Sequence, residues 1–199
     1  MRRLKPYRRL RHSGKSHRRV SRSSLGSQLL EFALVVPLLL AMVIGILDFG
    51  QAYNLKQKLS NAAREGARFA IEEPCADCTQ AAPSTTQSIE NSIVSYLTNA
   101  GVNLCGLTGT TVPSVGPQAF ASWTFTSPQQ CTGTNANFTI EIDRGNTFVN
   151  SSGAEVPSSQ VIVNSPYAWT FNRIIGLLLP GANYQAVTTI SSSAIMENL

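Results

Sequence analysis

The sequence predicts an α+β protein: a long N-terminal helix, a shorter second helix, and then a small antiparallel sheet. Three observations predict it. An apolar run at residues 29–47 continues unbroken into a segment whose small and apolar residues keep helical spacing. A shorter stretch at residues 86–98 repeats that spacing. Beyond it the chain turns to Thr, Val, Ile and aromatic residues in short runs divided by Gly, Pro, Ser and Asn, the composition of strands and turns.

Charge separates the first 26 residues from everything after them. They hold ten of the sixteen Lys and Arg and none of the eleven Asp and Glu, so the formal net charge of +5 belongs to this leader. The remainder carries six basic and eleven acidic residues. An Arg- and Ser-rich stretch with so little to bury has no core of its own. Nucleic acid is a poor partner for it, since only Tyr7 offers an aromatic ring and no basic domain follows. The pair Arg18-Arg19 lacks the rest of a twin-arginine signal.

Residues 29–47 read LLEFALVVPLLLAMVIGIL, with Glu31 as the one charge. Nineteen helical residues span about 28 Å, against roughly 30 Å of bilayer hydrocarbon. Positive charge on one flank keeps the leader cytoplasmic and exports the C-terminal part. A secretory signal peptide has a shorter apolar core and a small-residue cleavage site. Here the run leads into more helix, with small or apolar residues at 52, 55, 59, 62, 66 and 70 and polar ones on the other side. One helix over residues 27–71 would be roughly 68 Å long. Pro37 removes a hydrogen bond to Ala33 and kinks it, and Pro74 supplies a stop. Asp48 reads as a carboxylate at the outer membrane interface, too isolated to serve an ion pathway.

The second helix has capping-box spacing at Ser84 and Gln87, an apolar face of Ile89, Ile93, Val94 and Leu97, and Gly101 as its terminator. Strand candidates are residues 111–115, 120–126, 137–143, 161–171 and 184–196. An apolar segment at 173–179 fits a helical turn on the sheet or on the membrane surface. Helices followed by strands argue for a sheet laid on the exported half of the first helix.

Four cysteines, Cys75, Cys78, Cys105 and Cys131, lie on the exported side, where an even count favours disulfides. Three pairings are open. Cys75–Cys78 with Cys105–Cys131 is preferred, because local closure costs little and the later two flank one loop-and-strand unit. A redox or zinc role is the competing reading for Cys75 and Cys78. It lacks the helix start of a redox pair and the second ligand pair of a zinc site. Both histidines, His12 and His17, fall in the leader, so the exported part has no histidine for a Ser-His arrangement. Glu141 and Asp143 alternate on one strand face and read as solvated charges. Nothing calls for a catalytic residue, a metal or a cofactor.

Glu31 asks for a reason, because a carboxylate inside the membrane costs about 2.5–3.5 kcal/mol on insertion scales. One answer is that it snorkels to the cytoplasmic interface. The other comes from its neighbours. A basic leader ending in Gly26, then Glu31 and Phe32, then an apolar stretch, resembles the processing site of type IV prepilins, particularly the short pilins of the tight-adherence (Tad/Flp) pilus. The run EFALVVPLLLAMVIGILDFGQAYNLKQKLSNAAREGARFA resembles the N-terminal region of the TadE/TadG-like family of minor pilins, or pseudopilins. Its members carry the same E-F, P-L-L-L, D-F-G-(X)-A-Y and N-A-A-R-E-G-A-R succession. The ending of the chain resembles the family's two terminal strand-like segments.

The resemblance implies a pilin-like fold. It implies cleavage between Gly26 and Ser27 by a prepilin peptidase, which makes Glu31 the fifth residue of the mature chain. Glu31 and Phe32 would then serve assembly, Glu31 pairing with the new amine of a neighbouring subunit in an apolar filament core. Implied partners are the peptidase, other pilin and pseudopilin subunits, the inner-membrane Tad assembly platform and the lipid bilayer. The expected organisation is a cleaved cytoplasmic leader at 1–26, a transmembrane helix with its amphipathic extension at 27–71, and an exported α+β head at 72–199. The expected location is the bacterial inner membrane, single-pass with the N-terminus inside, with incorporation into an extracellular pilus as a further stage. The alternative is a permanently anchored envelope protein whose head is a binding or redox module. Ala62, Ala63, Gly66 and Ala67 also have a reading of their own, since small residues let another backbone approach.

Overall fold

The computed structural model describes residues 24–73, 76–109, 111, 113, 121–171 and 187–198. Helix α1 runs Ser24–Glu72 with Pro37 inside it, and α2 runs Ser84–Asn99. Four strands follow: β1 Ser122–Gln130, β2 Asn137–Val149, β3 Glu155–Ala168 and β4 Val187–Glu197. The architecture is α+β.

Packing divides the chain into Met1–Leu38 and Leu39–Leu199. In the first unit the described residues are helical, and Leu29, Leu30, Phe32 and Leu34 are all at least 66% exposed. The second unit holds the rest of α1, α2 and the sheet.

The sheet is an antiparallel meander in the order β1-β2-β3-β4. Alternation decides its faces. On β2, Phe138, Ile140 and Ile142 are fully buried, while Thr139, Glu141 and Asp143 point the other way. Trp123 and Phe125 of β1 and Val161 and Val163 of β3 complete the inner face. Against it lie Leu59, Ala62, Ala63, Ala67 and Ala70 of α1 and Ile89, Ile93, Val94 and Leu97 of α2, in one continuous core. Glu141 and Asp143 share the outer face, as their alternation predicts.

Three local expectations change. Ser84 and Gln87 form no capping box; the N-cap is Pro83, which has no side-chain donor or acceptor. Asp77, from the preceding loop, does the capping instead. Its carboxylate accepts from the Thr85 amide at 3.2 Å and from the hydroxyls of Thr85 and Ser84 at 2.5 and 3.1 Å. Burial raises its pKa, but those bonds outweigh it and hold the group below its ordinary value. At the other end Gly101 terminates α2 as expected. With φ +71° it allows the Val102 amide to reach the Leu97 carbonyl at 2.9 Å and its own amide to reach Thr98 at 3.0 Å, a Schellman closure.

Second, β2 and β3 are longer than their sequence signals. Arg144-Gly145-Asn146 reads as a turn, yet it forms a bulge between Asp143 and Asn146, and pairing resumes from Asn146↔Ser158 to Val149↔Glu155. The Gly145 amide donates to Asp143 Oδ1 at 2.9 Å. The hairpin closes on Asn150, whose Oδ1 accepts from the amides of Ser152 and Ala154. Third, the strand expected at 111–115 does not form at its described residues: Thr111 closes a turn on the Thr108 carbonyl, and the other described position, Pro113, is unpaired coil. Residues 112, 114 and 115, and the expected turn at 173–179, lie outside the described residues.

Candidate functional site

The site is α1 itself, and its surroundings change along its length. Gly26, Ser27, Glu31 and Phe32 occupy its first turns and are exposed. Within α1 the stretch from Gly26 is long and apolar enough to cross a membrane, and none of its most apolar window is buried. A core helix of a water-soluble fold would bury that window.

At Asp48 the surroundings change sharply. Asp48 is 2% exposed and is held by the head. The Tyr167 hydroxyl donates to its Oδ1 at 2.8 Å, and the Phe171 amide donates to its Oδ2 at 2.9 Å. Burial, joined by the hydrogen bond and the charge of Asp48, pushes the Tyr167 phenol up to about 12, so it stays a donor at any physiological pH. Asp48 is therefore turned inward onto the head, with both carboxylate oxygens taken by the protein. The signal was in the helical spacing, since 48 falls one turn before 52 on the stripe that faces the head. Next to it, Phe49 packs on Trp169 with ring centroids 5.2 Å apart, and Trp169 meets Tyr167 edge-on at 5.0 Å.

Beyond this lock the small residues act. A Cβ on Gly66 would lie 2.5 Å from Ile93 Cδ1 and 3.4 Å from Val161 Cγ1, so α1 comes close to α2 and β3 together. The Lys56 ammonium donates to the Ser191 carbonyl on the edge strand β4. Arg144, inward on β2, donates through Nη2 to the Glu73 carbonyl just past the end of α1, where a cation is favoured. Sequence reasoning missed Arg144, because Arg-Gly-Asn reads as a turn.

The decisive observation is where family resemblance begins and stops. Residues 26–68 match the family model described as TadE-like protein. The chain carries a TadE-like segment. It covers about a fifth of the sequence and is consistent with a TadE-like protein of the Tad pilus system. The TadE-like segment takes in the bare apolar run, the Asp48 lock and the small-residue face through Ala67, and it ends before the helix does. Neither a curated protein nor a solved structure matches the chain. The bare helix and the TadE-like segment together fit a membrane-anchored protein.

The described cysteines, Cys78, Cys105 and Cys131, lie on the head. Cys105, held with φ +56°, is bonded to Cys131, with Cα atoms 5.0 Å apart. Their bond ties the loop after α2 to the β1–β2 turn. Cys78 is disulfide-bonded too, while Cys75 lies outside the described residues. Among the described residues no group of three or more His, Cys, Asp or Glu is placed to hold a metal.

Proposed function

We propose that this chain is a minor pilin or pseudopilin, a structural subunit of a Tad-type pilus assembly and secretion system. It is inserted in the bacterial inner membrane with its leader inside, cut by a prepilin peptidase between Gly26 and Ser27, and assembled through α1. The observation that supports this most is the coincidence of the TadE-like match with one helix that is exposed over its most apolar stretch and packs one face against a head from Asp48 on. A bare apolar helix needs lipid first and neighbouring helices afterwards, which is what a subunit moving from membrane to filament requires.

Glu31 is assigned the pairing role: its carboxylate meets the α-ammonium that cleavage creates at Ser27 of a neighbour. Two charges in an apolar filament interior persist only when each satisfies the other. The partners are accordingly the peptidase, other pilin and pseudopilin subunits and the inner-membrane assembly platform. The role is structural rather than enzymatic.

The test is the mature N-terminus. Mass spectrometry of the protein from a host with an active prepilin peptidase should find Ser27 first, and Gly26→Ala should leave the leader attached. An intact leader in the wild-type protein would refute the proposal. Glu31→Ala should still insert in the membrane but be lost from assembled filaments, and its normal incorporation would remove the role given to Glu31.

A further inference from the structure

Three aromatic side chains and one buried carboxylate meet where the apolar run ends. Phe49 is 68% exposed although its ring packs at a tilt on Trp169, and Tyr53, one turn on, is 66% exposed. Phe171 Cε2 lies 3.9 Å from the position a Cβ on Gly45 would occupy, so the end of the β3 segment reaches back alongside the apolar run. Among the described residues Asp48 is the one charge at this level of α1, and it is turned inward onto Tyr167 and the Phe171 amide. The next charge along α1 is Lys56, eight residues or about 12 Å further on. That uncharged band is deep enough to cross a headgroup layer of roughly 5–8 Å.

The chemistry of Trp169 selects the occupant. The indole Nε1–H donates to Thr188 Oγ1 at 2.7 Å. Its one polar atom is satisfied within the protein, so the ring loses no hydrogen bond on leaving water. Indoles and phenols prefer the boundary between acyl chains and headgroups, where an apolar ring and a wet edge are both served. Phe49 directly continues a surface, residues 29–47, most of whose side chains are exposed.

We infer that this rim of Phe49, Trp169 and Phe171 seats the head in the membrane–water interface, so that lipid is a docking surface for the folded head as well as the solvent of α1. The inference rests on α1 spanning the bilayer; it depends neither on cleavage of the leader nor on assembly. The inward Asp48 lock then has a purpose, because it fixes Tyr167 and Phe171 at the helix without presenting a carboxylate to acyl chains.

The chain has two tryptophans, Trp169 at the rim and Trp123 fully buried in the core. The test reconstitutes full-length protein in phosphatidylcholine vesicles whose acyl chains are brominated at carbons 6 and 7, and reads tryptophan emission. Trp123→Phe, with Trp169 as sole reporter, should lose a clear share of its emission relative to unbrominated vesicles, because an interfacial indole lies within reach of the acyl chains. Trp169→Phe, reporting on Trp123 alone, should lose little. If Trp123→Phe does not fold, the difference between wild type and Trp169→Phe gives the same reading. Quenching of Trp169 by aqueous iodide but not by bromine would overturn the inference in favour of a head held clear of the membrane. Quenching by neither would overturn it in favour of a covering protein surface. A retained leader leaves all these readings unchanged, so failure here and failure of the processing proposal are separable.

Discussion

The hydroxyl of Tyr167 reaches back 119 residues to donate a 2.8 Å hydrogen bond to the carboxylate of Asp48. The contact joins the end of β3 to the helical position at which one face of α1 begins to pack on the head. A carboxylate that is 2% exposed survives only with its oxygens satisfied, and here one takes the phenol and the other the Phe171 amide.

Removing the phenol should therefore cost more than an ordinary surface hydrogen bond. Tyr167→Phe keeps the ring against Trp169 but leaves Asp48 Oδ1 without the Tyr167 hydroxyl that donates to it. The expected loss is about 1–3 kcal/mol, the range for a hydrogen bond to a buried charged group. Thermal or urea unfolding of the full chain in detergent micelles measures it. Stability equal to wild type would mean that water replaces the phenol and that the contact is not a lock.

Gly66 makes a second prediction, from space rather than charge. Alanine is the better helix former by about 0.8–1.0 kcal/mol. A Cβ there would meet Ile93 at 2.5 and 2.7 Å, and overpacking of a core costs about 1–3 kcal/mol. The clash should win, and Gly66→Ala should lower the melting temperature. Adding Ile93→Ala should rescue part of that loss, so that the double variant is less damaged than the two single losses summed. Simple additivity would remove the close approach as the reason for glycine.

What could be read in advance follows from how local each signal is. The small-residue stripe of α1 and the apolar face of α2 repeat within a few residues, so the spacing alone places Ala62, Gly66, Ile89 and Ile93 inward. The alternation of β2 does the same for Phe138, Ile140 and Ile142. Asp48, Asp77 and Arg144 resist such reading because each partner lies outside the local window: Tyr167, Thr85 and Glu73 respectively. A charged residue read alone is assigned to solvent, and only the fold supplies the donor or acceptor that brings it inward. Spacing did carry a trace of this for Asp48, which keeps the period of the buried stripe.

The bond between Cys105 and Cys131 closes a loop of 26 residues that includes the connection from α2 to β1. Chain-entropy reasoning gives about 3–4 kcal/mol for a loop of that size. Replacing both cysteines by serine should lower stability by an amount of that order while leaving the secondary-structure content intact. Urea unfolding with far-UV circular dichroism checks both statements. An unchanged midpoint would mean that the unfolded chain is already compact across this loop.

Glu90 yields a prediction about pH. It lies on α2 with no exposed surface, and neither carboxylate oxygen makes a hydrogen bond of ordinary geometry. The nearby Thr111 hydroxyl donates to the Thr108 carbonyl at 2.7 Å, so its one proton is taken. Burial pushes Glu90 up to about 8, with Thr111 opposing the shift only in part. In the unfolded chain the same group titrates near 4.5. Between those values the folded state holds a proton that the unfolded state has released, so stability falls as pH rises from 4.5 to 8 and levels off above. The fall should be of the order of a few kcal/mol. Glu90→Gln, which cannot ionise, should flatten the profile across that window and be the more stable protein at pH 8.5. Melting temperatures of wild type and variant at pH 5 and pH 8.5 give the answer. A wild-type protein as stable at pH 8.5 as at pH 5 would show that Glu90 ionises without cost, through water or a partner that reaches it in solution.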